Sequence, residues 1–249
     1  MESTTVVLPT APIAATVTNP KNLIIYAKPK IGKTSALIQL DNALLIDLED
    51  GSDYVSGFKI KANNVADIRR IGDAIIAANK PYKYIIVDTI TALGEMCIPL
   101  AEEMYASTAI GKSWFTKGKQ EYGSIINLPN GAGYYWIRAA FEKVIGFIKQ
   151  LAPYIVFVGH VKDVYLEKAG VEVSTLDLDL VGKLRRIMAT DSDSIGYMYR
   201  RGNKNYISFI TSDEIACGSR SNHLRNKEVL ISELQEDGTI ITHWDEIYK

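Results

Sequence analysis

From Lys21 onward, short apolar runs alternate with stretches whose apolar residues recur at helical spacing. The runs NLIIYA (22–27), ALLIDLE (43–49), YKYIIVD (82–88) and YIVFVGH (154–160) predict buried strands. Between them, KTSALIQL (33–40), NNVADIRRIGDAIIAANK (63–80), a segment around Ala92–Tyr105 and YYWIRAAFEKVIGFIKQL (134–151) predict helices, the second capped by Asn63 or Asn64. Near-continuous apolar strands separated by helices indicate βα units and a parallel sheet buried on both faces. After His160 the pattern changes. Residues 161–180 alternate like a hairpin with Ala169-Gly170 at its turn, residues 181–193 read as a helix, and residues 194–212 read as two strands around Gly202-Asn203. The expected fold class is α/β, a mainly parallel central sheet flanked by helices with antiparallel strands toward the C-terminus.

Two stretches lack this pattern. Residues 1–20, rich in Thr, Ala and Pro, read as an extended arm or a lone strand. Ala106–Gly133 is polar and glycine-rich, and loops this long without structure are usually functional or mobile. The expected organisation is an arm over 1–20, a core over 21–225 and an extension of the same domain over 226–249.

Composition narrows the function classes. The 249 residues are 47% hydrophobic and 23% charged with net charge −1, an ordinary globular balance that excludes a wholesale polycation. Any nucleic-acid contact therefore needs a local basic patch. Cys97 and Cys217, 120 positions apart in apolar surroundings, read as buried free thiols of a reducing compartment. No stretch approaches the ~20 apolar residues of a membrane span, and the N-terminus has no basic signal-type region. These features set the expectation of a cytoplasmic protein with no membrane partner.

The chemistry concentrates where apolar strands end. Ala27-Lys28-Pro29-Lys30-Ile31-Gly32-Lys33-Thr34 follows the first strand and opens a helical pattern, with Ala27 in place of the first Gly of a P-loop. Successive backbone N–H groups leading into a helix start favour an anion. Gly32 permits close backbone approach, Lys33 would reach the β- and γ-phosphates, and Thr34 would hold Mg²⁺. The nucleotide-binding set is thus Ala27 through Thr34 together with Ser35, with ATP and Mg²⁺ as cofactors.

Asp88 ends a wholly apolar strand, where a P-loop enzyme holds its metal; the alternative is a cap for the next helix. Glu49 and Asp50 follow another apolar strand, lying between the P-loop strand and the Asp88 strand. A carboxylate there can orient and deprotonate an attacking water. Glu49 is the choice over Asp50 and over Asp47, which falls on the strand itself; the competing reading is an exposed loop acid. His160 ends the fourth strand, where it either faces the γ-phosphate as a sensor or is structural.

In this order, "AKPKIGKT", "DLEDGS", "IIVDTIT" and "GHVKD", with a late "GSR" at Gly218–Arg220, resemble the RecA-like branch of P-loop ATPases. More closely, they resemble the compact phage ATPases of the Sak-type single-strand annealing recombinase group, over roughly residues 21–225. His160 stands where RecA itself usually has Gln, and the length leaves no room for an additional RecA-type DNA-gathering domain.

The resemblance implies a RecA-like P-loop NTPase core, a homo-oligomeric ring or filament, and two loops that contact single-stranded DNA. A single-strand DNA-binding protein is a further implied partner. The first candidate loop is Ala106–Gly133, where Lys112, Lys117 and Lys119 alternate with Trp114, Phe115 and Tyr122. Basic charge tracks phosphates, and exposed aromatics stack on bases; the alternative is a lid whose aromatics pack on the body. The second is Lys162–Leu176, nearly balanced in charge. In RecA-like assemblies a neighbour donates a cation to the γ-phosphate. Lys183, Arg185, Arg186, Arg200, Arg201, Lys204 and Arg220 are all candidates, and nothing in the sequence separates them. A rival reading is a nucleotide-switched adaptor, such as a helicase loader or packaging accessory, that controls protein partners.

Overall fold

The computed structural model describes residues 8–168, 171–212 and 215–249, with side chains described outside 164–174. Strand β1 (Asn22–Ala27) lies at the centre, paired in parallel with β5 (Tyr154–Lys168) on one side and β7 (Ser194–Arg201) on the other. Beyond β5 the sheet continues in parallel through β4 (Tyr84–Asp88), β2 (Ala43–Asp47) and the short β3 (Lys59–Lys61). On the β7 side the pairing turns antiparallel through β8 (Lys204–Ser208), β10 (Glu228–Leu234) and β11 (Ile240–Thr242). The two-residue β9 (Gly218–Ser219) also pairs with β7. This is the expected α/β class, with a mainly parallel sheet and antiparallel C-terminal strands.

The Glu49 strand, β2, lies between β1 and β4 in sequence only. In the sheet β5 stands between them, so the His160 strand and not the Glu49 strand is the neighbour of the P-loop strand.

Period-2 geometry sends alternate side chains of each buried strand to opposite faces. Ile24 and Tyr26 of β1, with Ile85, Val87, Ile155 and Phe157, join one core. Leu23, Ile25 and Ala27, with Tyr84, Ile86, Val156 and Val158, join the other. The first face is covered by α2 (Val65–Ala77), α3 (Ile90–Ala106), α5 (Ala132–Ile148) and α6 (Leu184–Asp191). The second is covered by the short α1 (Lys33–Leu37) and by Leu224, Trp244 and Ile247 from the C-terminal part. Asn64 is the cap of α2, its side chain accepting a bond from the Asp67 amide. The helix expected over 33–40 keeps α-helical form only through Leu37.

Residues 8–18 are exposed and form no strand. Hairpin β5–β6 (Val171–Leu178) occupies the stretch read as a second DNA loop, so that stretch is largely paired strand; its proposed turn Ala169-Gly170 lies outside the described residues. Cys97 and Cys217 are buried free thiols.

The segment after α3 departs most from expectation. Trp114–Gly118 forms a π-helical turn, Lys119–Tyr122 a short α-helix (α4), and Ile125–Asn127 a 3₁₀ turn. Trp114, Ile125 and Leu128 are buried in the core. Helix α5 starts hard against this segment, since a Cβ on Gly133 would sit 1.7 Å from the Ile125 carbonyl oxygen. Ala106–Gly133 is therefore a packed connection and not an open loop.

Candidate nucleotide site

In a parallel sheet, groups at the C-terminal strand ends converge on one edge. Ala27 is the last residue of β1, and the chain then turns through exposed Lys28, Pro29 and Lys30 and half-buried Ile31 into Gly32. Lys30 and Gly32 both take positive φ, 62° and 95°. That left-handed geometry is natural for Gly32, which has no Cβ to clash. Alternating backbone hand of this kind turns peptide N–H groups into an anion-binding concavity. Ser35 follows, half-buried, in the first turn of α1.

Lys33 is buried, and its Nζ donates to the carbonyls of Lys28 (3.1 Å) and Ala27 (3.5 Å). Burial lowers its pKa, while the carboxylates of Asp88 and Glu49 push it back up. The ammonium is thus a desolvated charge facing two acids at the mouth of the loop.

The Thr34 hydroxyl donates to Asp88 Oδ2 at 2.7 Å, joining the P-loop to the end of β4. Asp88 is buried, which raises its pKa; the Thr34 bond and the Lys33 charge oppose that rise. The Asp88–Thr89 peptide is cis. One hydroxyl and one carboxylate, both hard oxygen donors, fit Mg²⁺, which takes one or two protein oxygens and completes its shell with water and phosphate. Thr34 and Asp88 are the residues that would hold it.

Glu49 and His160 meet across the sheet edge, His160 Nε2 lying 3.0 Å from Glu49 Oε2 and 3.3 Å from Oε1. With Nε2 protonated the imidazole donates to the carboxylate. Glu49 is also held by Thr89, whose hydroxyl donates to Oε1 at 2.8 Å. The Glu49 side chain keeps 37% exposure, so solvent reaches it.

Asp47 faces inward at the end of β2 and accepts from the amides of Glu49 (3.0 Å), Gly51 (3.3 Å) and Ser52 (2.8 Å). These bonds hold its pKa low against the burial that raises it. Asp47 shapes the turn that presents Glu49. Asp50, in contrast, pairs with Lys61 at 3.0 Å, away from this cluster.

His160 is wired to the following segment. Its backbone amide donates to Thr91 Oγ1 (3.4 Å), Thr91 donates to the Asp179 carbonyl (3.0 Å), and the Asp179 amide donates to the His160 carbonyl (2.9 Å).

The C-terminal strands support the loop from below. Trp244 Nε1 donates to the Ala36 carbonyl of α1 at 2.9 Å. Asn205 of β8, bonded to Ser232 of β10 at 2.9 Å, lies where a Cβ on Gly32 would be 3.6 Å from its Nδ2. The sequence did not point to Thr89 or these braces, and it placed Asp47 on the strand without its part in the turn. A hydroxyl directly after Asp88 was a readable signal for Thr89; Trp244 and Asn205 act through long-range contacts that leave no local pattern.

The remaining candidates disperse. Trp114, read as a stacking residue, is 2% exposed and packs edge-on against Tyr105, with ring centroids 5.7 Å apart. Its apolar ring is worth more in the core than in water, so it offers no face to a base. Lys119 is bound to buried Glu102 at 2.6 Å. Lys112, Phe115 and Lys117 are exposed.

Among the basic residues, Arg185 pairs with Asp177 at 2.7 Å, Arg201 with Glu228, and Lys204 with Glu233. Arg200 donates to Asn205 at 3.3 Å. Arg220 donates to the Thr190 carbonyl at 2.9 Å. Lys183 and Arg186 are exposed on or beside α6 without an ion pair among the described residues. No helix among the described residues is long and apolar enough to cross a membrane.

Among solved structures, the crystal structure of a KaiC-like protein, PH0186 from Pyrococcus horikoshii OT3, is similar over 90% of this chain and 89% of that one, with TM-score 0.41 and 11% identity. No curated protein sequence matches the chain. A family model described as an AAA domain matches residues 19–221, well over half of the sequence. The chain belongs to the AAA domain family.

Proposed function

We propose that this protein is a RecA-like P-loop ATPase that binds ATP with Mg²⁺, oligomerises through its nucleotide site and acts on single-stranded DNA in phage recombination, annealing or pairing strands. One observation carries the ATPase reading. Thr34 and Asp88 (2.7 Å) and Glu49 and His160 (3.0 Å) form two linked pairs at one sheet edge, beside a buried lysine.

In this reading the backbone N–H groups of Lys28 and of Lys30 through Ser35 take the phosphates, and Lys33 exchanges its carbonyl partners for phosphate oxygens. Bound Mg²⁺ supplies charge neutralisation on the β- and γ-phosphates. Glu49, oriented by Thr89, accepts a proton from the water that attacks the γ-phosphate in line. His160 holds the second Glu49 oxygen and links that carboxylate, through Thr91 and Asp179, to hairpin β5–β6. Lys183 or Arg186, exposed and without an ion pair among the described residues, suits the cation a neighbouring subunit donates.

The DNA half of the reading draws support from the motif resemblance and from exposed Lys112, Phe115 and Lys117. A second reading, a nucleotide-switched adaptor for protein partners, is favoured by the net charge of −1 and the burial of Trp114. ATP hydrolysis measured with and without single-stranded DNA separates them. Stimulation by DNA supports the recombination reading, and hydrolysis indifferent to DNA supports the adaptor.

A further inference from the structure

The nucleotide loop rests on the antiparallel half of the sheet, and the contact between them is polar where a core would be apolar. Arg200 of β7 and Asn205 of β8 are register partners. Arg200 lies two residues beyond Met198, which pairs with Ala27 at the end of β1 and belongs to the core on the α1 side. Period-2 geometry puts Arg200 on that same face, just past the point where β1 turns into the loop. Asn205 shares the face with Ile207, another member of this core. It is 4% exposed, and Ser232 of β10 beside it is 1% exposed.

The three polar side chains form one chain of hydrogen bonds. Arg200 Nε donates to Asn205 Oδ1 at 3.3 Å, and Asn205 Nδ2 donates to Ser232 Oγ at 2.9 Å. A donor at one end of the amide and an acceptor at the other leave it a single orientation. The second N–H of Nδ2 meets no acceptor among the described residues, and Nδ2 lies 3.6 Å from where a Cβ on Gly32 would stand. Apart from the residues on either side of Gly32, no other described side chain comes within 4 Å of that point.

Strand β10 is deformed to complete this arrangement. It pairs Leu230 with Tyr206 and Ser232 with Asn205, so Ile231 is an extra residue, a β-bulge that brings Ser232 opposite Asn205. Bulges of this kind re-aim side chains beside functional sites. A buried amide–hydroxyl pair adds little net stability, and apolar groups of the same shape can replace both partners at almost no cost. The contribution of the pair is local. It fixes the positive end of an amide dipole behind the glycine at which backbone is to meet phosphate.

We infer that Asn205 is a positioning residue for the nucleotide loop, held by Arg200 and Ser232 so that its amide backs Gly32 in the phosphate-binding conformation. The inference rests on the ATPase reading and deepens it. It also assigns Arg200 to the loop of its own chain, which removes it from the cations a neighbour could donate.

The test uses the full chain with Mg²⁺, and reads mant-ATP affinity, steady-state ATP hydrolysis and melting without nucleotide. Asn205→Ala is expected to raise Kd and KM about 10-fold and to leave kcat at saturating ATP within about 2-fold, because a group that shapes the loop serves ground and transition states alike. Ser232→Ala, which removes only the anchor of Asn205, should raise KM about 3-fold, and Arg200→Ala, at an exposed side chain, should do the same. Neither should add to the effect of Asn205→Ala, since both act through it.

An unchanged KM in folded Asn205→Ala, with only the melting temperature lowered, would overturn the positioning role and leave Asn205 a packing residue. Arg200→Ala that adds its full effect to Asn205→Ala would overturn the chain of bonds, because Arg200 would then touch nucleotide by itself. Should Asn205→Ala fail to fold, Ser232→Ala and Arg200→Ala decide, and unchanged KM in both would overturn the inference. A wild type that neither binds mant-ATP nor hydrolyses ATP would overturn the ATPase reading and this inference together, whereas an active wild type with an indistinguishable Asn205→Ala would overturn this inference alone.

Discussion

The strand-end cluster and the Ala106–Gly133 connection both carry charged and aromatic residues, yet they are built in different ways. In the cluster, Asp88 ends β4, His160 sits within β5 where its pairing with β1 ends, and Thr34 and Glu49 come after β1 and β2; the side chains meet in two hydrogen-bonded pairs. In the connection the backbone follows no repeating period, and packing alone decides which side chains face inward. There Trp114 fills the core, and Lys119 neutralises Glu102, an acid left 4% exposed beneath it. Polar groups at the end of a rigid strand are held for chemistry. Similar groups on an irregular segment are spent first on anchoring it.

The sharpest way to break this contrast is at Lys33. Its side chain bonds only loop carbonyls, so Lys33→Ala should keep a native circular dichroism spectrum and a similar melting temperature. ATP turnover should fall by 10² or more, the order seen when one charge-stabilising donor is removed. Normal turnover in this variant would remove the P-loop from the account.

Trp114 should give the reverse pattern. Trp114→Ala empties a core position and should cost about 3–5 kcal/mol of unfolding free energy, measurable by urea titration. Any loss of activity should follow the fraction unfolded. A stable Trp114→Ala protein that had lost nucleic-acid affinity would restore Trp114 as a contact residue.

Asp88 sharpens the cluster side. Burial raises its pKa, so its folded value lies above the unfolded one. Such a carboxylate costs stability at pH above its folded pKa, and the cost disappears as pH falls to the unfolded value near ~3.9. Asp88→Asn, which can still accept the Thr34 bond, should therefore melt higher than wild type at pH 7. The gap should close in acid, and hydrolysis should be lost throughout. A lower melting temperature at pH 7 would mean that the Lys33–Asp88 attraction outweighs desolvation.

The smallest effect is expected at Lys112 and Lys117. Both are exposed on the packed connection, and neutralising them together should change stability by less than ~0.5 kcal/mol. If this segment is only a packed connection, the salt slope of oligonucleotide binding should stay the same. A slope reduced by roughly 0.7 per lysine would return the contact to this segment.

The legible features share a cause. Runs such as YIIVD and YIVFV announce buried strands through local composition, so their polar end residues could be singled out without knowing which strands are neighbours. Neighbour order was not local, and β5 rather than β2 proved to separate β1 from β4. The burial of Trp114 depends on Tyr105 and Tyr122, and the bracing of α1 depends on Trp244, 208 positions from Ala36.

The central claim is that Glu49, held by Thr89 and His160, activates water for attack on ATP. Binding of ATP and its single-turnover hydrolysis, measured in the same Glu49→Gln protein, test it most directly. The amide keeps the side chain's shape but cannot take the proton. Binding should stay within a few-fold of wild type while the hydrolysis rate falls by about 10²–10⁴. Hydrolysis at the wild-type rate in Glu49→Gln, or binding lost in step with hydrolysis, would contradict that role.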